Sequence, residues 1–197
     1  MTGMLFVTSA KSDFKQLNRL LVYLRDWEYG SFDSFHLVTT KEPQDLNKPG
    51  EGFGYPHDVE PTHPGLDADP PNAWKGSSIT AVEEYVLRVA DDSGPKGVNT
   101  SIYLLWDDRG VEEHSVIVGE RRFDGDSDEL TNEFDKLRCP WDCAYSMWCN
   151  LDIVGKISSD MAQWRAANIS LRRRTWILRT LPIKMWDGTR MDGTSIA

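Results

Sequence analysis

The eleven residues CPWDCAYSMWC, positions 139 to 149, hold all three cysteines of a 197-residue chain, with two tryptophans and a tyrosine among them. Thiols at this density suggest a zinc centre, a redox site or a packed core. Three and five residues separate successive cysteines, whereas structural zinc sites pair cysteines tightly and supply a second pair elsewhere. With Pro140 opening a helix, Cys143 and Cys149 point to different faces and cannot chelate together. In the same helix Trp141, Ala144, Tyr145 and Trp148 fall at i, i+3, i+4 and i+7, the stripe a helix turns toward a core. Each large aromatic so buried contributes about 2 to 3 kcal/mol before entropy is counted, and Cys packs as a small hydrophobe. The reading is therefore a core, with no metal, and Cys139, beside Arg138 and a helix N-terminus, as the one reactive-thiol candidate.

Histidines supply the next chemistry. HDVEPTH sets His57, Asp58, Glu60 and His63 together, the ligand types of many catalytic metals, but no regular element is predicted to fix their geometry. His57, His63 and His114 stand instead as acid–base candidates for an enzyme acting on a small organic molecule. FDGDSDELTNEFD puts Asp124, Asp126, Asp128 and Asp135 at calcium-loop positions. Glu129 occupies the place of the turn glycine, however, so an acidic turn capping a helix is expected. Arg172, Arg173, Arg174 and Trp176, with Trp74, are the ligand-binding candidates, since guanidinium groups beside aromatic faces clamp anions or stack planar groups. Asp107 to Asp135 holds eleven carboxylates against three arginines, so the basic tail is expected to meet that segment or an acidic partner.

The formal net charge of −9 and pI of about 4.9 argue against nucleic acid, whose phosphates require surplus Lys and Arg, and against an anionic membrane surface. No apolar run approaches a signal-peptide core or a membrane span, so a cytoplasmic protein is expected.

The elements that must carry these residues read as α/β or α+β. Met4 to Thr8 is a strand; Ser12 caps a helix bearing Phe14, Leu17, Leu20, Leu21, Leu24 and Trp27; Phe35 to Thr40 is a second strand, giving a βαβ unit with parallel strands. Ser78 caps a helix with Val82, Tyr85, Val86 and Val89 on one face. Ser101 to Trp106 and His114 to Gly119 form an antiparallel hairpin about a tight Asp107-Asp108-Arg109-Gly110 turn. Ser127 or Asp128 opens a third helix through Leu130, Phe134 and Leu137, and Pro140 a fourth. A short helix from Ser158 or Ser159 and a last strand at Thr175 to Thr180 follow. The expected whole is a single domain over 1–197 with a mixed sheet of four to five strands. It carries a Pro/Gly-rich insertion at 41–76, with seven of the ten prolines, and a basic C-terminal segment at 165–197.

Three stretches, LFVTSAKSDFKQLNRLLVYL, SIYLLWDDRGVEEHSVIVGE and WCNLDIVGKISSDMAQW, give Met4 to Trp164 an order that resembles a family of small bacterial and fungal α/β proteins described only as a domain of unknown function. The resemblance implies a fold and supplies no catalytic residues. Two functions remain open. One is a binding or regulatory module engaging a protein or small ligand through an aromatic-rich surface and the insertion. The other is an enzyme with a histidine acid–base in an aromatic cleft under the insertion. Neither calls for a cofactor.

Overall fold

The computed structural model describes residues 2–26, 32–42, 59–91, 97–127 and 129–154, the side chains of the last three excepted, all within the unit Met1–Ser158. Trp27, His57, the Ser158/Ser159 helix, the Thr175–Thr180 strand and the basic segment lie outside the described residues.

The fold is α/β. Strands β1 (Thr2–Val7), β2 (Phe35–Leu37), β3 (Val98–Trp106), β4 (Ser115–Asp124) and β5 (Glu129–Pro140) form one sheet in the order β2-β1-β3-β4-β5. β1 runs parallel to β2 and β3, while β3 with β4 and β4 with β5 are antiparallel. Helices α1 (Phe14–Tyr23), α2 (Ile79–Asp91), α3 (Asp108–Glu113) and α4 (Trp141–Val154) complete it. The expected βαβ unit is β1-α1-β2, and the mixed sheet has the upper number of strands anticipated.

All six residues of β1 are buried, as a central strand covered on both faces requires. Alternation along the strands assigns the two faces. Met4 and Phe6 join Tyr103, Leu105 and the α2 stripe Val82, Tyr85, Val86 and Val89 in one core. Phe6 lies at its centre, edge-on to Trp74, Tyr85 and Tyr103 with ring centroids 5.1, 5.8 and 6.1 Å away. On the opposite face α4 buries Trp141, Ala144, Met147, Trp148 and Leu151; Trp141 meets Trp106 at 5.7 Å and Trp148 meets Phe35 at 5.2 Å. Tyr145 of the anticipated stripe is half-buried.

Three local expectations are corrected. The N-cap of α1 is Asp13, one residue after Ser12: its carboxylate accepts from Gln16 N at 2.7 Å while Gln16 Oε1 accepts from Asp13 N, a reciprocal capping box. The tight turn between β3 and β4 is the helix α3, because Asp107 caps it by accepting from Gly110 N at 2.7 Å. The left-handed residue that ends it is His114, φ 51°, and Gly110 is required for space, since a Cβ there would lie 2.4 Å from Ser115 O. The helix anticipated through Leu130, Phe134 and Leu137 is strand β5. Its twelve residues zip onto β4 from Ser115↔Pro140 to Asp124↔Glu129, and the turn between them is fastened by Asp124, which accepts from Asp126 N and Ser127 Oγ. Spacings of four and three satisfy a helix on paper, but this ladder wins. Phe134 then packs on Tyr103 at 5.5 Å, while Leu130 stays 40% exposed.

From Val59 to Gly76 the insertion forms a strap. Thr62 covers the outer edge of β2, its amide donating to Phe35 O and its hydroxyl accepting from Leu37 N. Gly65 N and Leu66 N donate to Asn18 Oδ1 on α1. The strap then crosses the carboxyl end of β1, where Asn72 Nδ2 donates to Val7 O and Gly76 N to Thr8 O, both at 2.8 Å. Gly76 has φ +76°, a conformation glycine adopts without strain.

Candidate functional site

Open sheets with parallel strands bind ligands beyond the carboxyl ends of those strands, above all where successive connections leave a strand in opposite directions. Here that strand is β1, with β2 on one side and β3 on the other.

On the β3 side the position is filled from within. Asp108, the first residue of α3, offers one oxygen to three donors of the loop after β1: Ser9 Oγ at 2.6 Å, Ala10 N at 2.9 Å and Lys11 N at 3.3 Å. These bonds, led by that from Ser9, hold the Asp108 carboxyl below its usual range. Lys11 Nζ reaches Glu112 Oε1 at 2.6 Å, so α3 is tied to the loop at two places. Next to it, Asp107 receives both terminal nitrogens of Arg138, at 3.0 and 2.5 Å, and Arg138 also donates to Ser115 Oγ. Burial alone would push Asp107 up, but the Arg138 fork and the Gly110 amide bring it below the ordinary carboxylate value.

On the β2 side a cleft of about 180 Å³ is open. Val7 and Leu37, the last residues of β1 and β2, and Leu17 of α1 form its apolar wall with Pro70. Ser12 and Asp13 line it from the start of α1, and Asp69, Asn72 and Lys75 from the strap. Asn72 is a fixed member, because its Nδ2 is held by Val7 O and its Oδ1 accepts from Trp74 N at 2.9 Å. Asp13 is fixed too, by the capping box. The cleft lies under the insertion, and among the described residues its lining holds neither an aromatic side chain nor a histidine.

The sequence candidates are scattered. Trp74 is 1% exposed in the α2-side core, donates its indole N–H to Thr40 O at 3.1 Å and has Lys41 Nζ over its ring at 5.2 Å. His114 is exposed at the end of α3 with its ring 4.8 Å from that of Trp141. His63 is exposed on the strap and donates through Nδ1 to Asp33 Oδ2 at 2.7 Å, while Arg25 Nε donates to Asp33 Oδ1 at the same distance. His57, Arg172, Arg173, Arg174 and Trp176 lie outside the described residues. The cysteines are thiols, Cys139 buried on β5 and Cys143 and Cys149 half-buried on α4. Among the described residues no group of three His, Cys, Asp or Glu side chains could hold a metal ion, and no helix is long and apolar enough to cross a membrane. Part of the acidic segment is paired from within, Arg122 on β4 with Glu133 and Asp135 on β5; beyond it Lys136 of β5 reaches Glu83 on α2.

Residue types alone did not single out Asp13, Asp69, Asn72 and Lys75. The available signal was positional: the loop Thr8 to Ser12 follows the first parallel strand, at the edge where such sheets bind. The fold and site together describe an α/β unit with an open cleft at its carboxyl edge. Compared with known proteins, the chain matches no family model, no curated protein and no solved structure.

Proposed function

We propose that this chain is a binding module for a small organic ligand, and that the ligand occupies the cleft between the carboxyl ends of β1 and β2 beneath Asp69 to Lys75. The observation that carries this reading is the cleft itself: an apolar wall of Val7, Leu17, Leu37 and Pro70 is joined by polar residues, of which Asp13 and Asn72 are themselves fixed by hydrogen bonds. Binding sites of this kind are concave and largely apolar, with a few placed polar groups. Its size suits a small metabolite rather than a dinucleotide, since a cavity of about 150 Å³ accommodates benzene. The neighbouring β1/β3 position offers no comparable anion cradle, because Asp108 already takes the Ser9, Ala10 and Lys11 donors.

The test is an amide shift map. A panel of small polar metabolites is titrated into the labelled full chain while backbone correlation spectra are recorded. Binders are expected to shift Ser12, Asp13, Asn72 and Lys75 saturably. Binders that perturb only other surfaces, or a panel without a binder, would sink the reading.

A further inference from the structure

The charges around the cleft say more about what it takes. We infer, resting on the binding reading above, that the ligand is a zwitterion carrying an ammonium and a carboxylate on a short apolar body, the chemistry of a small aliphatic amino acid. Among the described residues that line the same 180 Å³ space, two are acidic, Asp13 and Asp69, and one is basic, Lys75. Asp13 comes from the start of α1 and the other two from the strap, so both signs of charge are displayed against one apolar wall.

Each simpler ligand leaves one of these groups opposed. A bare amine satisfies the carboxylates but brings a cation up to Lys75. A bare carboxylic acid meets Lys75 but faces Asp13 and Asp69. A neutral alcohol of the same shape contacts the wall of Val7, Leu17, Leu37 and Pro70 and leaves all three charges without a counterpart. Only a ligand with both charges gives each sign in the cleft a counterpart, and discrimination of this kind comes as much from repulsion of the wrong partner as from attraction of the right one. The size agrees: the cavity exceeds by a little the roughly 150 Å³ that holds six carbon atoms, which leaves room for a branched four-carbon side chain at most. One oxygen of the Asp13 carboxylate accepts from Gln16 N, so that group is oriented before a ligand arrives. Ser12 adds a hydroxyl that donates to Ser9 O at 3.3 Å, leaving its lone pairs to accept an ammonium proton.

A matched trio tests the inference: L-leucine, 3-methylbutylamine, which lacks its carboxylate, and 4-methylpentanoate, which lacks its ammonium. Each is titrated into the full chain and followed at the amides of Ser12, Asp13, Asn72 and Lys75. Leucine is expected to bind at least tenfold more tightly than either analogue. Lys75→Ala is expected to erase its advantage over the amine, and Asp69→Ala to reduce its advantage over the acid. An analogue that shifts the same amides as tightly as leucine would overturn the zwitterion inference and leave the cleft standing as a binding site. If the panel compounds that shift those amides are ones lacking either the ammonium or the carboxylate, the zwitterion inference alone is overturned; if no compound does, both readings go together.

Discussion

Arg138 grips Asp107 with both terminal nitrogens, at 3.0 and 2.5 Å, and so joins β5 to the end of β3 across the intervening β4. The same carboxylate caps α3 through Gly110 N. One residue therefore fixes both the sheet's outer strand and the helix that follows β3, immediately before the carboxylate that fills the loop after β1.

Replacing Arg138 by Ala is expected to cost about 1 to 2 kcal/mol in urea unfolding, at the lower end of losses for hydrogen bonds to charged groups because both side chains are partly exposed. The pH dependence gives its sign. Asp107 titrates lower in the folded chain than in the unfolded one, so its stabilisation is complete above the unfolded value of about 3.9 and fades as pH falls through the folded value. The wild type should lose stability over that acid range more steeply than the variant. Parallel acid profiles would contradict the assignment.

Asp108→Ala removes the acceptor shared by Ser9 Oγ, Ala10 N and Lys11 N. Amide exchange at Ala10 is expected to quicken at least tenfold, and less at Lys11, whose amide also donates to Ser9 Oγ at 3.0 Å, while Leu20 and Leu21, buried in α1, keep their protection. Unchanged exchange at Ala10 would show that Asp108 does not hold the loop.

Asp33 ties the strap to the residues that follow α1 by accepting from His63 on one side and Arg25 on the other. Burial raises its carboxyl, but these two partners together lower it beyond that rise. A carbon-detected titration should place the Asp33 midpoint below the ordinary value of about 3.9. Arg25→Ala should move it upward, and a midpoint indifferent to that change would remove Arg25 from the cluster.

The parts of the fold legible in the sequence were those written in local periodicity. Val82, Tyr85, Val86 and Val89 recur at helical spacing, and all four are buried in α2. Leu17, Leu20 and Leu21 do the same in α1. β5 was not legible, because the spacing of Leu130, Phe134 and Leu137 suits a helix and only pairing with β4, a non-local contact, settles it. α3 was hidden by Gly110, which suggested a turn although its role is to clear Ser115 O. The cleft was legible only as a place. Asp13, Asp69 and Lys75 are unremarkable surface residues in the sequence, and they become a set because the strap is tied across the end of β1 through Asn72 and Gly76.

The most direct measurement is saturation-transfer binding of a cleft ligand to the wild type and to Asp69→Trp, an exposed roof position where an indole would fill the opening without entering the core. The expected result is a ligand signal in the wild type that vanishes in the variant while the backbone spectrum away from the cleft is unchanged. A signal of equal strength in both proteins would contradict the claim that this cleft is where the chain binds.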